Sequence, residues 1–262
     1  MYLAVARSAI QTRFAYRGEV WTHLFFRLLQ VFAKIAIWTA VYAGASSVNG
    51  VTLPQMITYA IISSTLLDAW FYPNLIKVID RSLKSGDVAV YLLKPLSYPL
   101  YLFAIECGNF ANDLVIVMVP TIVIVVLFNG LLPPASIGHG LLFLGFWMES
   151  LLILFLIAAL FGLAAFWLMT AFSLEWLLQG ILAIFSGSFI PFWFFPEPLG
   201  SIARHLPFAW IGYYPTAVYL GRLPPDEAGL YLGLGGLWVL ALIVGVWALW
   251  RRASLRLTVQ GG

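Results

Sequence analysis

Six long apolar segments constrain the fold of this 262-residue chain more than any other feature. Each has about 20 residues or more, which is the length that a helix needs to cross roughly 30 Å of hydrocarbon. They lie at 24–44, 54–76, 100–128, 141–169, 174–195 and 228–250. Apolar residues make up 62% of the chain and charged residues only 10%, far from the composition of soluble proteins. The sequence therefore predicts an all-α integral membrane protein, a single transmembrane domain over 1–262 with six transmembrane helices.

The first 21 residues predict a helix that lies along the membrane surface. Apolar side chains recur there at helical spacing: Leu3, Ile10, Phe14 and Trp21. Basic side chains lie among them: Arg7, Arg13 and Arg17. This mixture is typical of an interfacial amphipathic helix, and a solvated basic tail is the alternative. Because the layout of a signal peptide is absent, we expect the N-terminus to be retained.

The segment 77–99 is a charged stretch between the second and third apolar runs, and it reads as two short helices with a break between them. Apolar residues at every fourth position mark one face of the first helix: Leu75, Ile79 and Leu83. Ser85 and Gly86 break this helix, and Asp87 is a suitable N-cap for the second. Lys94 ends the second helix because Pro95 follows it. We expect a compact, exposed element that another protein can contact.

Basic residues predict the orientation of the chain. Ten of the 14 lysines and arginines fall in the N-terminal region, the 77–99 loop and the C-terminal region, whereas the opposite side has only Arg204 and Arg222. Cytoplasmic loops are the ones enriched in Lys and Arg. The pattern predicts that both termini and the 77–99 loop are cytoplasmic, in a multi-pass protein of the plasma membrane, the inner membrane of a bacterium.

The region after the fifth apolar run is aromatic but repeatedly broken. Glycine and proline residues disrupt helix formation there: Gly187, Pro191, Pro196 and Pro207. Phe189 is one of the aromatic residues among them. Irregular backbone within a membrane is tolerated only where protein or a water-filled cavity satisfies its polar groups. We interpret 187–221 as a partly re-entrant cap within the outer loop 196–227. An aromatic belt at the membrane interface is the alternative.

Several classes of catalytic and binding site are excluded by the motifs. No Gly-Lys pair exists, so the chain has no phosphate-binding loop of the G-x-x-x-x-G-K-[ST] type. The three histidines belong to no metal-binding motif, no G-x-S-x-G elbow occurs, and Cys107 is the only cysteine. No basic run interleaved with aromatic residues suggests nucleic acid. We therefore expect a protein that is not an enzyme and binds no metal or cofactor itself.

Charged residues inside the apolar runs are the remaining candidates for function, since each costs roughly 2.5–3.5 kcal/mol at mid-membrane. Those singled out are Lys34, Glu106, Asp113 and Glu149. Arg27 is seven residues before Lys34 and shares its helical face. The sequence favours structural ion pairs such as Lys34 with Asp113 or Glu149, and a role in substrate or proton handling is the alternative.

Two segments carry a resemblance to a known family. LKSGDVAVYLLKPLSYPLY (83–101) resembles the cytoplasmic loop after the second span in permease subunits of type-2 ATP-binding-cassette (ABC-2) exporters. FSGSFIPFWFFPEPLGSIARHLPFAWIGYYPTAVYLG (185–221) is similar to the outer segment of the same family. The resemblance covers nearly the whole chain.

The resemblance implies a half-transporter in which two permease subunits, alike or different, sit on two ATPase subunits that bind ATP and Mg. It places the ATPase-coupling residues at Ser85, Gly86, Asp87, Tyr91, Leu92, Lys94 and Pro95. It assigns Arg7, Arg13 and Arg17 to an elbow helix and 187–221 to an outer re-entrant gate. Surrounding membrane lipids complete the expected partners.

Two other functions compete with this interpretation. A self-sufficient, proton-coupled secondary transporter would use Glu106, Asp113 or Glu149, but the two halves of the chain show no convincing internal repeat. An intramembrane enzyme would need a nucleophile, base or metal constellation, and none is recognisable. The substrate stays open among drugs, peptides, lipids and glycan precursors.

Overall fold

The computed structural model describes residues 2–14, 17–68, 72–92, 97–168 and 170–260, and these are almost wholly helical. The α-helices are α1 (Tyr2–Phe14), α2 (Arg17–Val41), α3 (Leu53–Leu67), α4 (Tyr72–Lys84), α5 (Asp87–Leu92), α6 (Tyr98–Asp113), α7 (Val119–Asn129), α8 (Ile137–Leu168), α9 (Ala171–Phe185), α10 (Leu199–His205), α11 (Tyr213–Tyr219) and α12 (Pro225–Gln260). Strands β1 (Ser47–Val48) and β2 (Val51–Thr52) form a small antiparallel hairpin.

Four stretches among the described residues are long and apolar enough to cross a membrane: Trp21–Val41, Tyr98–Asn129, Ile137–Leu168 and Pro225–Leu255. Two shorter apolar helices, α3 and α9, occupy the places of the second and fifth predicted spans. The chain is therefore a multi-pass helical membrane protein, as the sequence predicts. The predicted span 54–76 is divided between α3 and α4, and in the predicted span 174–195 the helix α9 ends at Phe185. That these two segments cross the membrane stays a prediction.

Backbone chemistry explains why those two spans are short. Pro73 lies in the first turn of α4, where its missing N–H suits a helix start but not the continuation of α3. After α9, Gly187 has a φ of 69°, a left-handed conformation that ends helical geometry. The mean hydropathy stays high around Pro73 and around Gly187, because the residues that flank them are apolar.

The third span is continuous although it contains Pro120. A π-helical stretch, Leu114–Met118, joins α6 to α7, and Pro120 lies in the first turn of α7. The wider π-helical turn accommodates the ring and the lost backbone donor of a proline.

Helix α8 forms the centre of the molecule and packs against α4, α11 and α12. The apolar face predicted for the first short helix is confirmed: Leu75 and Ile79 of α4 are buried, and Leu83 packs against the same cluster. A Cβ atom at Gly162 of α8 would collide with the Ile79 side chain. Gly162 thus provides the groove in which α4 lies.

Contacts at the two ends of the bundle fix which segments lie together. At one end the Ser97 N–H donates to the Tyr2 hydroxyl (3.2 Å), and Tyr98 stacks on Trp250 with 4.8 Å between ring centroids. This end holds the start of α1, the α5–α6 region and the C-terminal part of α12. At the other end Arg222 Nη2 donates to the Gly50 carbonyl of the hairpin (2.5 Å). Both termini and the charged loop share one end, the arrangement that the basic residues predict.

Helix α1 packs directly on α6. A Cβ atom at Gly108 of α6 would meet the Ala6 carbonyl and the Ala9 side chain, so the two backbones approach closely. Arg7 is exposed, and the side chains of Arg13 and Arg17 lie outside the described part of the structure. The structure gives α1 a protein contact that the sequence did not predict.

Candidate functional site

A polar stripe runs along α2. Its members are spaced by four, three and four residues, which places them on one helical face: His23, Arg27, Gln30 and Lys34. All four lie within the apolar stretch Trp21–Val41. Two charges facing lipid would cost roughly 5–7 kcal/mol at about 2.5–3.5 kcal/mol each. The stripe must therefore border a cavity or another protein.

The stripe lines a cleft of about 770 Å³. The opposite wall comes from α9, which contributes Trp176, Gln179 and Gly180, and the floor includes Leu67 and Asp68 at the end of α3. Phe26 and Phe189 add aromatic surface. The cleft thus combines two cations, amide groups and aromatic rings within membrane-spanning structure.

Arg27 is compensated by Asp68 within the cleft. Its Nη2 donates to the Asp68 main-chain carbonyl at 2.9 Å, and its Nε lies 3.9 Å from Asp68 Oδ2. The Nη1 atom of Arg27 is buried and has no hydrogen-bond partner in the part of the chain that the structure describes. The Asp68 carboxylate therefore balances the guanidinium charge and leaves both N–H donors of Nη1 unused by the described residues.

Lys34 is held by neutral oxygens. Its Nζ donates to Ser64 Oγ at 2.8 Å and to the Ser188 carbonyl at 3.5 Å, and lies 5.7 Å from the centroid of the Phe189 ring. In the described part of the chain no carboxylate lies within ion-pair distance of this ammonium group. The pairs with Asp113 or Glu149 that the sequence permits are not formed.

The acidic candidates lie away from the cleft. Glu149 is positioned against the α12 backbone at Gly235 and Gly236. Glu106 is buried and accepts a hydrogen bond from Asn109 Nδ2 at 3.2 Å, and Asp113 is half-buried at the end of α6. None of these three acids is among the residues that line the cleft.

A second candidate site is the short helix α5, which follows the break that the sequence predicts. Gly86 has a φ of 78°, and Ser85 Oγ donates to Asp87 Oδ2 at 2.6 Å across the turn. Asp87 is the first residue of α5, one position before the predicted start, and is exposed. Leu92 ends the helix, and Lys94 and Pro95 lie outside the described residues. The turn is rigid because side chain and backbone both define it.

A cluster of tyrosines connects α5 to three other helices. The Tyr91 hydroxyl donates to the Tyr101 hydroxyl at 3.0 Å, and their ring centroids lie 4.6 Å apart. Tyr98 in turn shares a 2.6 Å hydrogen bond with Ser82 of α4 and stacks on Trp250 of α12. Burial, and secondly the bond to Tyr101, raise the pKa of Tyr91, which keeps it a neutral donor. Through this cluster α5 is in contact with α4, α6 and α12.

An ion pair links α4 to the cleft wall. Lys77 Nζ lies 3.2 Å from Glu175 Oε1 at the start of α9. The Glu175 side chain is only 11% exposed, whereas that of Lys77 is 53% exposed. Helix α9 lines the cleft, and α4 leads directly into α5. The ion pair therefore joins the helix that carries one candidate site to the helix that precedes the other.

The segment after α9 forms the end of the cleft at which Lys34 and Phe189 lie. Its irregular backbone is satisfied by α3, since the Tyr59 hydroxyl donates to the Gly187 carbonyl (2.7 Å) and Ser63 Oγ to the Ser188 carbonyl (3.1 Å). Phe189 is exposed and lines the cleft. The remaining predicted gate residues delimit short turns: Pro191 and Pro207 precede or begin 3₁₀ turns, and Pro196 is exposed.

Sequence reasoning missed three residues of these sites. Gln30 and Gln179 line the cleft, and Glu175 pairs with Lys77. The 4-3-4 spacing of polar residues from His23 onward was the available signal for Gln30. No local pattern could have paired Glu175 with a residue nearly 100 positions earlier.

The cleft and the long apolar helices around it define the class: a multi-pass helical membrane protein with a polar cleft between its helices. The chain belongs to the ABC-2 transporter family: the family model described as ABC-2 family transporter protein matches residues 28–261. Among curated proteins, none matches the sequence. The resemblance noted from the sequence is confirmed, and the family supports a permease role in ABC transport.

Proposed function

We propose that this chain is the membrane subunit of an ATP-driven exporter and forms half of its translocation pathway. A second permease subunit, identical or homologous, supplies the other half, and membrane lipids surround the pair. A separate ABC ATPase subunit binds ATP and Mg and hydrolyses the nucleotide in the cytoplasm. Six crossings place both termini and α5 on the cytoplasmic side, with α3 and α9 as the two short crossings.

The observation that carries this proposal is the attachment of α5 to the ends of the apolar helices. A loop that only joined two spans would need no network of tyrosines behind it. Asp87 is exposed while Val88 is fully buried and Tyr91 is bonded to Tyr101. This arrangement suits a rigid element that the ATPase holds on one side and that moves helices on the other. A state-dependent contact of this kind is what can bias one conformation over another.

In this proposal Ser85, Gly86, Asp87, Tyr91, Leu92, Lys94 and Pro95 form the coupling element. Helix α1, with Arg7, Arg13 and Arg17, is the elbow helix. The segment 187–221 is the outer gate, which closes one end of the pathway.

The cleft supports the position of the pathway. A polar stripe on a spanning helix needs water or protein opposite it, and the cleft is only partly enclosed. A second permease subunit facing α2 and α9 would enclose it. The Lys77–Glu175 pair gives α4, the helix that leads to α5, a direct contact with the α9 wall.

The secondary-transporter alternative is not favoured. Its candidate proton carriers are Glu106, Asp113 and Glu149, and these pack on other helices rather than in the cleft. A proton-coupled mechanism would need at least one of them to meet both the substrate and water.

The test is co-expression of this chain with the ABC ATPase encoded beside it, followed by purification through a tag on this chain and reconstitution into liposomes. We expect the two to co-purify and transport to require ATP. The control is the same complex with the lysine of the ATPase phosphate-binding loop replaced, which should assemble but not transport. Transport driven by a proton gradient with the ATPase absent would refute the proposal.

A further inference from the structure

We infer that the cleft between α2 and α9 binds an amphiphile with an anionic headgroup, which lies along the stripe that carries Arg27 and Lys34. The inference rests on the proposed function, because it names the chemical class of the cargo. It depends on three observations: the charge balance of the cleft, its unused donors and its aromatic surface.

The charge balance of the cleft is positive. Arg27 and Lys34 are opposed by a single carboxylate, that of Asp68, which contacts Arg27. Among the described residues Lys34 contacts the neutral oxygens of Ser64 and Ser188 and the Phe189 ring, and Asp68 acts on its ammonium group only from beyond ion-pair distance. Charges interact more strongly near a low-dielectric environment than in bulk water. An anion in the cleft would therefore be attracted, and a cation would find its one carboxylate already engaged.

Both cations keep hydrogen-bond donors that no described residue accepts. Arg27 Nη1 is buried, and no atom of the described residues accepts a hydrogen bond from it. The Lys34 ammonium group has three donors, of which two point to Ser64 and Ser188. Seven residues separate Arg27 from Lys34, about 10 Å along the helix axis. A headgroup with several anionic oxygens, such as a phosphoryl group, can engage donors along such a stripe.

Aromatic side chains provide the apolar part of the site. Phe26, Trp176 and Phe189 line the cleft, and each is exposed by 47% or more. Ile37 lies further along the same wall. An alkyl or aryl tail packed against these side chains would remove apolar surface from water. A small hydrophilic anion would leave that surface uncovered, so an amphiphile fits the cleft better.

The experiment compares two photoreactive probes of equal chain length, an alkyl phosphate and an alkyltrimethylammonium salt. The protein is held in phosphatidylcholine nanodiscs, and crosslinked peptides of α2 and α9 are quantified by mass spectrometry. We expect the phosphate probe to label these peptides about fivefold more, the ratio that corresponds to one ion pair of about 1 kcal/mol. Equal labelling, or more labelling by the ammonium probe, would overturn the inference.

Three variants locate the effect. Lys34→Met should abolish the preference for the phosphate probe, and Lys34→Arg, which keeps the charge, should retain it. Arg252→Gln removes an exposed charge on α12 outside the cleft and should change nothing. If Lys34→Met prevents folding, labelling by both probes is lost together. The ratio of phosphate-probe to ammonium-probe labelling in the wild type and in Lys34→Arg then tests the inference. A preference that persists in a folded Lys34→Met protein would contradict the role of Lys34.

A further arm separates two sources of the same chemistry. Adding phosphatidylglycerol to the nanodiscs should displace the phosphate probe if the occupant is an anionic lipid of the bilayer, and should leave labelling unchanged if it is a dedicated cargo. Both results retain the anionic amphiphile. Because labelling needs no ATPase, failure of ATPase association would refute the proposed function without affecting this inference.

Discussion

The groove between α4 and α8 gives a quantitative prediction. A methyl group added at Gly162 would overlap the Cδ1 atom of Ile79, so this fully buried side chain must shift against its neighbours. Overpacking of this kind costs about 1–3 kcal/mol, whereas replacing glycine by alanine within a helix gains about 1 kcal/mol. We expect Gly162→Ala to lower the free energy of unfolding by roughly 0–2 kcal/mol.

The same substitution should behave differently once Ile79 is shortened. Ile79→Val removes the Cδ1 atom, the nearest atom to the added methyl group, and by itself costs about 0.5–1.5 kcal/mol. In that background Gly162→Ala meets less overlap and gains the helix propensity, so it should be neutral or stabilising. The interaction energy between the two substitutions should be about 1–2 kcal/mol in the stabilising direction.

The assay is a double-mutant cycle measured by reversible denaturation of the purified protein in detergent micelles. Gly233→Ala is the matched control, because nothing lies within 4 Å of a Cβ atom at that position. It should show the propensity gain alone in either background. Additive effects of Gly162→Ala and Ile79→Val would refute the tight packing of α4 in the α8 groove.

The remaining predictions concern the α5 region and its link to the cleft. Asp87→Ala combined with Tyr91→Phe should lower transport-coupled ATP hydrolysis of the reconstituted complex while membrane insertion, followed by the yield of folded protein, stays normal; unchanged coupling would remove α5 from the mechanism. Lys77→Met should lower the melting temperature more than Glu175→Gln. Lys77→Met leaves the buried Glu175 carboxylate unpaired, whereas Glu175→Gln leaves only the half-exposed Lys77 ammonium group unpaired. The opposite order of melting temperatures would argue against the pair. Burial and the bond to Tyr101 raise the pKa of Tyr91 above its ordinary 10.0, so its stabilising contribution is present below pH 10 and is lost as the pH rises further; Tyr91→Phe should flatten that decline in a pH series of unfolding curves, and an unchanged slope would contradict the buried, bonded hydroxyl.

Local chemistry predicted some of this structure well. The break at Ser85 and Gly86 and the helix that starts at Asp87 depend on neighbours in sequence, and they lie where expected within one residue. The apolar face of α4 follows from a four-residue repeat and is buried as predicted. Membrane insertion itself follows from composition, since no other environment suits so many apolar side chains.

Long-range contacts were beyond the sequence. Lys34 bonds to Ser64 and Ser188, which are 30 and 154 positions away, and hydroxyl and carbonyl partners leave no charge signature. The cleft needs residues from α2, α3, α4 and α9 at once. The end of α3 before Pro73 was missed because a hydropathy window averages over that proline, whereas the sequence did mark Gly187 as a residue that disrupts the helix after α9.

The shortness of α3 and α9 affects the bilayer as well as the protein. Helices α3 and α9 have 15 residues each, about 22 Å of apolar length, against roughly 30 Å for the hydrocarbon core. Both contribute to the cleft. Hydrophobic mismatch of this size favours local thinning of the lipid beside a short helix. A polar group entering the cleft would then face a narrower nonpolar layer than one crossing the undisturbed membrane, because the lipid beside the short helices would be thinner.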